Sequence, residues 1–152
     1  MPGYFFDTSA VSKHYHEEPG TEKVDELLAV AGSSHVISRL SVIELHSVFA
    51  KKVRMGQLGQ PDFERLSRRF RADVAKKMLR VVRLTAAHFR AAEKLVCRIG
   101  PSSNLRTLDA LQLAVALSLN EPEQAITFAC ADHALCAIAT AEGLAVVNPE
   151  TP

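Results

Sequence analysis

The chain has 152 residues, 47% of them hydrophobic: enough for one domain with a conventional core, few for two, and too apolar for a disordered segment. Its cysteines, Cys97, Cys130 and Cys136, are odd in number and lack a Cys-x-x-Cys spacing. That argues against a disulfide framework or a thiolate zinc site and favours a reducing cytoplasm, while a net charge of +1 by itself singles out no partner.

Tyr4-Phe5-Phe6 is a short apolar run ended by Asp7 and reads as a first strand. It follows Met1-Pro2-Gly3 directly, so no leader peptide is expected. Thr8 to His14 can form a helix, and Pro19-Gly20-Thr21 punctuates before a second one, where Val24, Leu27, Leu28 and Ala31 recur at helical spacing. Gly32-Ser33-Ser34 ends that helix, and His35-Val36-Ile37 is a second strand. Ser38 to Val53 reads as a helix, broken by Gly56, Gly59 and Pro61. Asp62 to Met78 is amphipathic: Phe63, Leu66, Phe70, Val74 and Met78 form one stripe, and Glu64–Arg68 and Asp73–Lys77 supply i,i+4 pairs.

Val81 to Leu84 makes a third strand, Thr85 to Cys97 a helix, and residues 100–104 a loop. Thr107 to Leu119 is the most apolar helix; Asp109 and Gln112 interrupt it, and it is too short to span a bilayer. Ala125 to Phe128 is a fourth strand, Asp132 to Ala141 a helix, and Ala145 to Val147 a fifth strand. Strands alternating with helices predict an α/β fold in three layers, α/β/α, around a central, mainly parallel five-stranded sheet with right-handed crossovers. No repeat or linker divides residues 1–152, so a single domain is expected.

Charge is unevenly spread. Residues 51–98 carry 14 of the 18 Lys and Arg against four acids, so the middle of the chain is basic and the remainder acidic. A basic stretch beside an acidic site suits a polyanion held next to a bound cation, although charged helix faces are also ordinary solvated surfaces.

Four acids stand out within this pattern: Asp7, Glu44, Asp109 and Asp132. Each sits where a strand gives way to a helix, or in the opening turns of a helix. In a parallel sheet such positions collect on the carboxyl rim, where open α/β sheets bind ligands. Taken singly each has a bland explanation. Asp7 and Asp132 can be helix N-caps, Ser41-Val42-Ile43-Glu44 can be a capping box, and Asp109 can favour the positive end of its helix. Together they repel unless a cation joins them. Asp109 and Glu44 also lie among apolar neighbours, where an unpaired carboxylate is costly. An all-oxygen set of this kind suits Mg²⁺ or Mn²⁺.

Phe6-Asp7-Thr8-Ser9-Ala10, Ser41-Val42-Ile43-Glu44-Leu45, Arg106-Thr107-Leu108-Asp109-Ala110-Leu111-Gln112-Leu113-Ala114 and Ala131-Asp132-His133-Ala134-Leu135 follow in order along nearly the whole chain. In these stretches it resembles the PIN-domain family, specifically the VapC-type toxin ribonucleases of toxin–antitoxin pairs. The resemblance implies a Mg²⁺- or Mn²⁺-dependent endoribonuclease acting on RNA as a cytoplasmic toxin, with a small antitoxin as partner, a homodimeric state and no membrane association. It implies Asp7, Glu44, Asp109 and Asp132 as the catalytic acids. Asp7 and Asp109 would be the principal metal ligands, joined by Asp132, while Glu44 and Asp132 position or deprotonate water. Thr8 or Ser9 is implied as a hydrogen-bond partner near the metal or the scissile phosphate, and Arg106 as a contact to substrate or a partner of an acid. The family pattern usually has Thr or Ser two residues before the fourth acid. Here Cys130 stands there, and a thiol is a poorer hydrogen-bond donor. Where the pattern often has a basic residue after that acid, this chain has His133.

Other chemistries are less well supported. His14 and His16 point about 200° apart on a helix, so they do not face one transition metal. The chain has no Gly-x-x-x-x-Gly-Lys phosphate loop and no Gly-x-Ser-x-Gly elbow. Asp7-Thr8-Ser9 lacks the second aspartate of an Asp-x-Asp phosphatase, and no adjacent acid pair opens a phospho-acceptor site. A binding module that kept the fold, with the acids as structural caps, is the remaining alternative.

Overall fold

The computed structural model describes residues 2–152; the reading of a missing leader falls partly on Met1, outside them. Five strands, β1 (Gly3–Phe6), β2 (Ser34–Ser38), β3 (Arg80–Val82), β4 (Ile126–Ala129) and β5 (Ala145–Val147), form one sheet in the order β3-β2-β1-β4-β5. Every pairing is parallel, including Phe5 with Val36 and Phe6 with Ala129. The helices are α1 (Thr8–Tyr15), α2 (Thr21–Leu28), α3 (Arg39–Arg54), α4 (Gln60–Ala75), α5 (Ala86–Ile99), α6 (Thr107–Leu119) and α7 (His133–Ala141). The result is the three-layer α/β/α arrangement that the alternation predicts.

Two-residue strand periodicity explains the two cores. Phe5, Val36 and Phe128 point to one face, where they pack with α5, α6 and α7 residues such as Leu95, Leu113 and Ile138. Their neighbours Phe6, Ile37 and Ala129 point to the other, against Val11, Leu45, Phe49 and Phe70 of α1, α3 and α4. A sheet covered on both faces therefore reads as unbroken apolar runs. Burial of each large side chain here contributes roughly 1.5–3 kcal/mol. A Cβ at Gly3 would lie 2.6 Å from Ile126 Cδ1, the end of a side chain that can turn aside.

The charged stripe of α4 departs from the expected pairing. Asp73 accepts the Tyr15 hydroxyl at 2.7 Å instead of meeting Lys77, and Asp62 pairs with Arg65 rather than Glu64 with Arg68. Pro61, read as a breaker, lies in the first turn of α4, where its missing N–H costs no helical hydrogen bond. All three cysteines are free. Among the described residues no helix is long and apolar enough to cross a membrane.

Candidate active site

The chain runs from β1 through β2 to β3 on one side, then returns with β4 on the other side of β1. Strand order thus reverses between β1 and β4, and the crevice beyond their carboxyl ends is where a parallel sheet accepts a ligand. Asp7 directly follows β1, and its N–H donates to Ala129 O at 2.9 Å, carrying the ladder to the rim. Its side chain caps α1, accepting from Ser9 N at 3.2 Å and from Ser9 Oγ at 2.6 Å. Asp132, just past β4, caps α7 by accepting from Leu135 N at 3.0 Å. Asp109 lies in the first turn of α6 and pairs with Arg106 Nε at 3.1 Å. Glu44 lies in the second turn of α3.

The four acids share one electrostatic neighbourhood. Asp7 is buried, at 7% exposure. Burial, with smaller contributions from the charges of Glu44 and Asp109, pushes its carboxyl up to about 6, against the two bonds from Ser9. The charges of Asp109, Asp132 and Asp7 all act on the Arg106 guanidinium and raise its pKa, the Asp109 hydrogen bond most. The two caps expected at Asp7 and Asp132 are therefore real, yet they do not discharge the site.

The expected capping box at Ser41–Glu44 does not form. Ser38 is the N-cap of α3, accepting from Ser41 N at 3.4 Å, so Ser41 and Glu44 turn to tertiary partners instead. The hub is Gln112, at 1% exposure. Its Nε2 donates to Glu44 Oε1 at 2.8 Å and to Ser41 Oγ at 2.9 Å, with Thr8 Oγ1 farther off at 3.4 Å. Its Oε1 accepts from Ser38 Oγ at 2.7 Å. Thr8 is buried too, and its hydroxyl donates to Glu44 Oε1 at 3.1 Å and contacts Ser41 Oγ at 2.9 Å. Thr8 is thus engaged inside the protein, whereas half-buried Ser9 ties Asp7 to the β4–α7 turn by accepting from Ala131 N at 3.0 Å.

Gln112, Ser38 and Ser41 were not singled out for the site by sequence. The available signal was a polar residue on an apolar helix, three positions after Asp109 and hence on the same face. Cys130 is buried behind the site. Its thiol lies 3.8 Å from Asp7 Oδ2 and accepts from Asp132 N at 3.4 Å, spanning the two acids weakly where a hydroxyl would bond more strongly. His133 is exposed. The His14 ring goes to Asp25 and Arg69, and the His16 ring to Lys52, so the two imidazoles serve separate contacts.

One regularity bears on metal binding. Every side-chain hydrogen bond accepted by the four acids falls on a single oxygen of each: Asp7 Oδ2, Glu44 Oε1, Asp109 Oδ2 and Asp132 Oδ1. The other oxygen of each carboxylate has no hydrogen-bond partner among the described residues. Among the described residues no group of three or more His, Cys, Asp or Glu side chains is placed to hold a metal ion. An ion at this rim would take one or two of the carboxylates directly and keep several waters, the habit of Mg²⁺.

Solved structures share this architecture. FitAcB from Neisseria gonorrhoeae aligns with a TM-score of 0.71 at 18% identity, covering 96% of this chain and 97% of its own. VapBC2 from Rickettsia felis, bound to a DNA fragment from their promoter, gives 0.69 at 14% identity, covering 96% and 98%. A toxin–antitoxin complex from Klebsiella pneumoniae gives 0.60 at 15% identity, covering 96% and 97%. At such identities the likeness is one of fold. No curated protein sequence matches the chain. The sequence pattern of the PIN domain, however, matches residues 4–146, which take in all four rim acids and all but the last residue of β5. With the reversed strand order and the acidic crevice already in place, the chain belongs to the PIN-domain family.

Proposed function

We propose that this protein is a Mg²⁺- or Mn²⁺-dependent endoribonuclease and the toxin of a toxin–antitoxin pair. The observation that carries the reading is four acids at the carboxyl rim of the sheet, each with one oxygen held by the protein and, among the described residues, one left over. Of Asp7, Asp109 and Asp132, one or two would hold the ion directly and the rest through water, and Glu44, fixed through Oε1 by Gln112 and Thr8, would orient water or accept its proton through Oε2. A bound divalent ion supplies Lewis acidity toward a phosphodiester oxygen and lowers the pKa of a water. Ser9 and Thr8 act by holding Asp7 and Glu44 in place. Exposed Arg106, paired with Asp109, is positioned to exchange that partner for a phosphate. The basic stretch 51–98 supplies backbone attraction for RNA.

In-line attack by water leaves a 5′-phosphate and a 3′-hydroxyl. The test is cleavage of an RNA labelled at either end while EDTA is titrated in. The reading requires those termini and loss of cleavage with the metal. Cleavage that persists in EDTA, or 2′,3′-cyclic ends, refutes it. The fold shared with the Klebsiella toxin–antitoxin complex supports an antitoxin as partner, while a homodimer follows only from the family resemblance. Co-purification with the product of a neighbouring short gene tests the former.

A second reading, a binding module without activity, draws on the real N-caps at Asp7 and Asp132. Asp7→Asn keeps the cap, because Asn caps as well as Asp. Loss of cleavage with the cap intact rejects the module, and absence of cleavage in the unaltered protein supports it.

A further inference from the structure

Within the basic stretch, a cleft away from the four rim acids is lined by aromatic and cationic side chains together. Its walls are His46 on α3 and Phe63, Glu64, Ser67, Arg68 and Arg71 on α4, around a volume of about 390 Å³. We infer that it is a nucleotide subsite: one base of a single-stranded RNA seats against Phe63 and His46 while Arg68 and Arg71 hold its phosphates. This rests on the nuclease reading for the identity of the polyanion and extends it to a place where the strand is anchored.

Several independent features converge on this cleft. Arg68 and Arg71 are exposed, three positions apart and so on one face, and neither forms an ion pair among the described residues. By contrast Arg65, one turn away, is taken by Asp62, and Arg69 by His14 and the Tyr15 ring. The two guanidiniums of the cleft are therefore the uncommitted ones on this part of α4. Phe63 is half-buried, and His46 is fixed edge-on against Phe70 with ring centroids 5.6 Å apart. Burial, with Arg71 nearby, lowers the His46 pKa, so its ring is neutral near pH 7 and offers a π-face rather than a charge. Stacking of bases on such rings contributes about 1–3 kcal/mol per base and tolerates sequence.

Ser67 supplies a further sign of a missing partner. It is 4% exposed and lines the cleft, yet among the described residues its Oγ has no hydrogen-bond partner. A buried hydroxyl left unpaired is costly, and a ligand atom would relieve it. Glu64 is the only acid in the lining and matches a base that presents an amino donor. Glu44 and His46 lie two positions apart on α3 and about 200° around it. A strand leaving the acidic crevice would cross the exposed crest at Ile43 and Ser47, roughly one helix diameter of about 10 Å, before entering the cleft.

The experiment measures binding, not cleavage. A fluorescein-labelled ten-nucleotide RNA, with 2-aminopurine at one internal position, is titrated in EDTA into the full chain carrying Asp7→Asn. Arg68→Ala/Arg71→Ala in that background is expected to weaken binding at least tenfold. It should also lower the slope of log K against log salt by about 1.4, at about 0.7 per phosphate contact on a single strand. Phe63→Ala is expected to abolish 2-aminopurine quenching. Arg80→Ala/Arg83→Ala, an equally basic exposed pair of the same stretch outside the cleft, is expected to weaken binding several-fold less than the cleft pair does and to leave 2-aminopurine quenching intact.

An unchanged Kd in the Arg68/Arg71 variant, an equal loss in the Arg80/Arg83 variant, or tighter binding of polyglutamate than of RNA overturns the subsite. So does failure of the parent to bind RNA. If the parent binds as expected but metal-loaded wild type cleaves nothing, the subsite stands and the nuclease reading falls. If wild type cleaves and Arg68→Ala/Arg71→Ala leaves KM unchanged, the nuclease stands and the subsite falls.

Discussion

Replacing Asp7 by Asn removes one negative charge from the crevice while keeping the shape of the side chain and its capping oxygen. Asp7 titrates at about 6 in the folded chain, against an ordinary value of 3.8. The folded state therefore binds this proton more readily than the unfolded state, and the ionised carboxylate opposes folding. Below about pH 4 both states are protonated and the penalty is absent; it grows as pH rises through the window from 3.8 to about 6, then levels off. At about 1.4 kcal/mol per pH unit, that window amounts to about 3 kcal/mol. Without metal at pH 8, Asp7→Asn is expected to raise the unfolding free energy by up to this amount, on the order of 6–12 °C in Tm for a chain of this size. The gain should shrink as pH falls through 6 and vanish near pH 4. Circular-dichroism melts in EDTA from pH 4 to 8 measure it. Millimolar Mg²⁺ or Mn²⁺ should then stabilise wild type and narrow the gap, because the ion offsets the repulsion that Asn had removed. A variant that melts no higher than wild type at pH 8, or whose advantage is independent of pH, refutes the argument that burial and like charges strain this carboxylate.

Gln112→Leu keeps the volume but strands Ser38, Ser41 and Glu44 oxygens; urea denaturation should show a loss on the order of 2–4 kcal/mol, since each buried group left unpaired costs about 1–3 kcal/mol. A loss below about 1 kcal/mol would mean that the polar hub is dispensable. Gly3→Ala brings a methyl against Ile126 Cδ1, the end of a side chain that can turn aside, and should cost no more than about 1 kcal/mol by the same assay; a larger loss would show that Ile126 is locked in place. Cys130→Ser places a stronger donor beside Asp7 Oδ2, which favours the carboxylate and should reduce the pH-8 stability gain from Asp7→Asn when the two changes are combined. Equal gains in the two backgrounds would show that Cys130 does not act on Asp7.

Element positions were legible because their signals are local. The apolar runs ending in Asp7 and Asp132, the Gly and Pro punctuation, and the helix from Thr107 to Leu119 stand in the structure within a few residues of where the pattern puts them. That each acid opens or caps a helix at the carboxyl rim followed from parallel topology alone, although the strand order that places the crevice between β1 and β4 did not. What remained hidden was settled by contacts distant in sequence. Ser41 satisfies every local rule for a cap, but Ser38 wins the position because Ser41 Oγ is needed by Gln112 across the core. Asp73 satisfies the rule for an i,i+4 pair with Lys77, but the Tyr15 hydroxyl reaches it from α1. Thr8 illustrates the same limit: its place beside the first acid suggests the substrate, whereas the packing of α1 against α3 and α6 turns it inward to Glu44.

The central claim is that topology gathers these carboxylates into a pocket for one hard divalent cation. Crystals grown without metal and then soaked in MnCl₂ test it directly, through the anomalous signal of the ion. The account predicts a peak in the crevice between β1 and β4, about 2.1 Å from the uncommitted oxygen of Asp7 or Asp109 and otherwise ringed by water. An active protein whose soaked crystals show no peak there, or show Mn²⁺ only at other carboxylates, contradicts it.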